Sequence, residues 1–84
     1  MVKVDQIVAR MRRNPGTMRF GDVVKVCRHY FGEPRQEGTS HMVFRTPWVG
    51  DPRVNLQNNQ GMAKDYQVRQ VIKAIARIEE DRHE

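Results

Sequence analysis

The hydrophobic residues of this chain change period twice. Val4, Ile7, Val8 and Met11 recur at helical spacing, as do Val23, Val24, Cys27, Tyr30 and Phe31. In Thr39–Thr46 and again in Arg53–Gln57 the inward and outward positions take turns as in strands. The pattern returns to helical spacing in Val68, Val71, Ile72, Ile75 and Ile78. The two spacings belong to amphipathic helices and half-buried strands respectively. A chain that reads helix, helix, strands, helix must lay its helical stripes on the apolar face of one sheet. That is an α+β layer. With 84 residues it has material for a single domain with a thin core.

Punctuation refines the element bounds. Asn14-Pro15-Gly16 stops the first helix, since proline and glycine together break it. Asp5 near its start and Arg10, Arg12 and Arg13 near its end suit the helix dipole. Gly32 is the natural stop of the second helix. After Pro34, Arg35–Glu37 reads as a short first strand and Thr39–Thr46 as the second. Alternation puts Met42 and Phe44 on one face, with His41, Val43 and Arg45 on the other. A proline-bounded loop, Pro47 to Pro52, leads to a third strand, Arg53–Gln57, with Val54 and Leu56 facing inward. Asn58–Gly61 turns the chain into a last helix from about Ala63 to Asp81.

Composition excludes several classes. The hydrophobic share is 38%, and no run approaches the roughly 18 apolar residues of a spanning helix. Val2, Val4, Ile7 and Val8 are interspersed with polar residues, so no signal pattern opens the chain and a cytoplasmic location is expected. The single cysteine, Cys27, lies on the apolar face of the second helix, where a buried structural thiol is the reading. Acidic residues are scattered, and no metal site or cofactor is expected.

The net charge of +5 points to polyanionic partners, and its distribution sharpens the point. Arg10, Arg12, Arg13, Arg19, Lys25, Arg28 and Arg35 are opposed in their stretch only by Asp22 and Glu33. The end of the chain is acidic, with Glu79, Glu80, Asp81 and Glu84. A basic front suits a nucleic-acid binder, and an ordinary solvated basic surface is the plain alternative. Lys25 and Arg28, on the polar side of the second helix, are candidate RNA contacts.

His41 is the candidate for chemistry. It stands at the start of an apolar strand, directly after a glycine-containing turn. Histidine alone exchanges protons near neutral pH with an unperturbed pKa. Cleaving RNA without metal requires a base that takes the proton of a 2′-hydroxyl, which such a group can do. His29 falls on the polar side of the second helix, and His83 lies in a charged tail. No second acid is evident. Ser40, Arg35, Arg45 and Lys64 are candidates to bind phosphate or steady developing charge, with Arg45 on His41's own face. Trp48, between two prolines, reads as a packed loop anchor before it reads as a base-stacking residue.

The run Gly38-Thr39-Ser40-His41-Met42-Val43-Phe44, with a helix around Asp22–Phe31 before it and another after Lys64, resembles the HicA (YcfA-like) family of bacterial toxins. The resemblance covers about Arg19 to Ile78, leaving a helical extension over residues 1–14 and an acidic tail over 79–84. Two departures are visible. The family pattern reads Gly-Ser-His, whereas one more residue separates Gly38 from Ser40 here. Many relatives carry a second histidine after the third strand, where this chain has Gln57-Asn58-Asn59-Gln60. The resemblance implies a double-stranded-RNA-binding-domain-like fold, with a three-stranded antiparallel sheet covered on one face. It implies a metal-independent endoribonuclease that cleaves mRNA with His41 as base, silenced by a HicB-like antitoxin protein. A non-catalytic RNA-binding module of similar fold is the rival, and a pure protein-interaction domain the third reading.

Overall fold

The fold is that of a computed structural model, which describes residues 3–37, 41–48 and 53–82. Three helices and a four-stranded antiparallel sheet follow the chain as α1 (Val4–Arg13), α2 (Phe20–Phe31), β1 (Arg35–Glu37), β2 (His41–Phe44), β3 (Val54–Asn59), β4 (Met62–Ala63) and α3 (Asp65–Arg82). The spatial order of the strands is the sequence order. Among the described residues, no helix is long and apolar enough to cross a membrane.

The helical stripes bury as their spacing demands. Ile7, Val8 and Met11 of α1 are buried, and so are Val68, Val71, Ile75 and Ile78 of α3. Together with Met18, Phe44, Val54 and Leu56, all of these but Ile78 close a core on one face of the sheet. α1 thus contributes Ile7, Val8 and Met11 to this core. It packs between α2 and α3, and Arg12 reaches Glu79 of α3 at 3.7 Å. This lateral packing also explains why α2 buries Val26 besides Val23, Val24 and Cys27. α2 is covered by α1 on one side and by β3 and β4 on another.

The sheet has four strands, where the sequence pattern predicted three. β3 runs on to Asn59, past the expected turn at Asn58. The turn is two residues, Gln60 and Gly61, at φ 53° and 87°. Positive φ at both central residues is the turn whose twist matches a tight hairpin. The Asn58 side-chain oxygen accepts the Gly61 N–H at 2.6 Å. Met62 and Ala63 then pair back onto Asn59 and Asn58, so α3 begins at Asp65 and not at Ala63. On its other side β4 is held by the extended connector before α2. Ala63 N–H donates to the Met18 carbonyl at 2.9 Å, and Phe20 N–H to the Gly61 carbonyl at 3.0 Å. Two residues are too few to show alternation in sequence. The strand exists because two neighbours supply its partners.

Candidate functional site

β2 delivers His41 to the outer face of the sheet. Alternation commits Phe44 to the core, which turns His41, Val43 and Arg45 away from the helices. His41 and Arg45 are exposed. Register then fixes the neighbours. Glu37, His41 and Gln57 form one row across β1, β2 and β3, and Arg35, Val43 and Asn55 form the next.

Val43 is only 7% exposed although it lies outside the core. It floors a shallow cavity of about 240 Å³ walled by Glu33, Pro34, Arg35, Arg45 and Arg53. Arginine stems cover apolar surface while their guanidinium groups stay in water, so one valine gathers three cations. By strand rise, Val43 stands about 7 Å from His41 and Arg45 about 13 Å. The cations therefore occupy one end of the outer face and the histidine the other.

Gln67 fixes the middle row from behind. It is 4% exposed, and its side-chain oxygen accepts the Gln57 N–H at 2.8 Å. β4 ends one residue short of reaching Gln57, so a glutamine from α3 supplies the acceptor that a longer strand would have given. Lys64 is the partly buried residue between β4 and α3. Its carbonyl accepts the Gln67 and Val68 N–H groups at 3.0 Å and so starts α3.

The remaining predicted residues separate. Ser40 lies outside the described residues. Lys25 and Arg28 are exposed on α2, which covers the inner side of the sheet, so they do not share His41's face. Arg28 reaches Glu33 at 3.6 Å. His29 is exposed, edge-on to Tyr30 with ring centres 5.0 Å apart. Among the described residues, no three His, Cys, Asp or Glu side chains come close enough to hold a metal ion. Burial pushes the Cys27 thiol up to about 12, which removes its nucleophilic form at neutral pH.

A second feature was not foreseen. Trp48 docks on the C-terminal half of α3, where its Nε1–H donates to Asp81 at 3.0 Å. The Arg77 guanidinium lies 4.2 Å from the centre of the ring. Between this pair and β3 opens a groove of about 660 Å³ that Arg53, Gln70 and Lys73 also line. The loop proline pattern announces a packed Trp48. Nothing in the local sequence announces Gln70, Lys73 and Arg77, which belong to the polar side of α3 and meet Trp48 only through the fold. No family model, curated protein or solved structure matches this chain.

Proposed function

We propose that this protein is an endoribonuclease of the HicA type, which cleaves mRNA and is silenced by a HicB-like protein. One observation carries the reading. An exposed histidine lies on the sheet face that the helices leave open, with Arg35, Arg45 and Arg53 gathered farther along that face. The two helices and strands β1–β3 from α2 onward also suit a double-stranded-RNA-binding-domain-like core, to which α1 and β4 are added.

In this reading His41 takes the proton of a 2′-hydroxyl. The freed oxygen attacks the adjacent phosphorus, the bond to the 5′-oxygen breaks, and that oxygen takes a proton from the water that reaches this open face. The arginines hold phosphates of the same strand. No metal takes part.

The test compares the natural chain with His41→Ala, by thermal unfolding and by degradation of a long mRNA in excess chelator. Truncating an exposed side chain changes stability little, so both forms should melt alike. Cleavage is expected from the natural chain alone. Undiminished cleavage by the folded variant would remove His41 from the chemistry. RNA binding without cleavage by either form would favour the binding-module reading, which the distance between His41 and the arginine cluster also suits.

A further inference from the structure

The groove between β3 and α3 has a chemistry of its own. We propose that it takes one unpaired base of a single-stranded RNA, stacked on the Trp48–Arg77 pair, as a subsite that sets where the strand lies relative to His41. This rests on the RNA reading above. The cavity of about 660 Å³ falls within the roughly 300–1,000 Å³ of small-ligand sites. Its aromatic wall is tied to α3 through Asp81 at the ring nitrogen and Arg77 at the ring face, 3.0 and 4.2 Å away. A flat base extends such a stack, since aromatic rings and guanidinium planes both accept bases.

The other walls suit the rest of a nucleotide. Ala74 and Val54 are apolar, Asn55 and Gln70 carry hydrogen-bonding amides, and Lys73 brings a positive charge. Amides read base edges, while cations meet phosphates. The groove is also contiguous with the basic end of the outer face, because Arg53 lines both this groove and the shallow cavity over Val43. A strand bound at His41 can therefore follow the arginines along the sheet and drop a base beside Trp48. A nucleic acid offers the stacked pair a flat partner at every nucleotide, a peptide only at its aromatic or arginine residues.

Trp48 is the only tryptophan in the chain, so its fluorescence reports on this groove alone. The experiment titrates the full chain carrying His41→Ala with a short, unstructured, end-labelled oligoribonucleotide. Binding is followed by anisotropy of the label, and occupancy of the groove by Trp48 emission. Both signals should share one midpoint. Gln70→Leu, which removes a groove amide, and Lys73→Glu, which reverses a groove charge, both at exposed helix positions, should each weaken binding about fivefold or more, the scale of one lost net hydrogen bond. An oligomer of the same length without bases should leave Trp48 emission unmoved. RNA binding by anisotropy with unchanged Trp48 emission and unchanged affinity in both variants would overturn the subsite and leave the RNA reading standing. Absence of any RNA binding would overturn both. Equal quenching by a polyglutamate peptide would reduce the groove to a general anion surface and overturn the proposal.

Discussion

Replacing Gln67 with methionine tests whether the row that holds His41 depends on one hydrogen bond. The Gln67 side chain is buried, and its oxygen accepts the Gln57 N–H at 2.8 Å. Methionine is of similar size and flexible, so it should fill the space without opening a cavity. What is lost is this short acceptor, with a longer donation from Nε2 to the Tyr66 hydroxyl at 3.4 Å. Leaving a buried donor unsatisfied costs about 1–3 kcal/mol. Gln57 is only half-buried, and water can partly replace the acceptor, so the lower end of that range, about 1 kcal/mol, applies. For a domain of this size that lowers the melting temperature by about 4–8 °C. Thermal unfolding measures the cost, and amide hydrogen exchange shows where it falls. Gln57 should lose protection first, followed by His41, its register partner in β2, while Val71 in the middle of α3 should keep its protection. An unchanged melting temperature with a still-protected Gln57 amide would refute the reasoning.

Two further outcomes follow from charge and burial. Arg45→Glu should flatten the salt dependence of RNA binding by about one unit per lost phosphate contact, whereas Lys25→Glu, on the far side of the sheet, should leave the slope unchanged; equal flattening by both would mean that RNA tracks α2. Burial raises the Cys27 thiol from an ordinary 9.0 to about 12, so the folded chain holds this proton more tightly than the unfolded one. The resulting stability is complete below pH 9 and is lost as pH rises toward about 12, by up to about 1.4 kcal/mol per unit. Stability of the natural chain should therefore fall with pH relative to Cys27→Ala across that window, and parallel curves would refute it.

The elements with long periodic stripes were legible in the sequence, because burial of one face is a property of each stripe alone. Ile7, Val8 and Met11, or Val68, Val71 and Ile75, could pack no other way. The facing of the strands was nearly as legible: Phe44, Val54 and Leu56 lie in the core with Met42 packed against it, as alternation requires. What escaped was made by partnership between distant segments. β4 depends on Met18 and Phe20, and the place of α1 depends on the sides of α2 and α3. The same division runs through the site. His41 and Arg45 share a face by period alone, but the separation of the arginines from the histidine depends on Val43 as their common floor. The groove beside Trp48 joins a loop to a helix thirty residues on, and no local pattern encodes that meeting.

The open face carries a consequence of its own. An antiparallel sheet is free to leave one side to water, but here that side gathers Arg35, Arg45 and Arg53 around one buried valine. Glu33 stands among them and offsets part of the positive charge. A polyanion laid along the face meets the excess and releases its own counterions at the same time. The arrangement is therefore more favourable when bound than when free, and the gain shrinks as salt screens it over about 10 Å at 0.1 M. His41 lies beyond the cluster, in a row tied by Gln57 and Gln67 to α3, so the element that orients the histidine is separate from the residues that would attract a polyanion. Changes at the arginines should then move affinity while leaving the histidine's geometry intact, and changes at Gln67 should do the reverse.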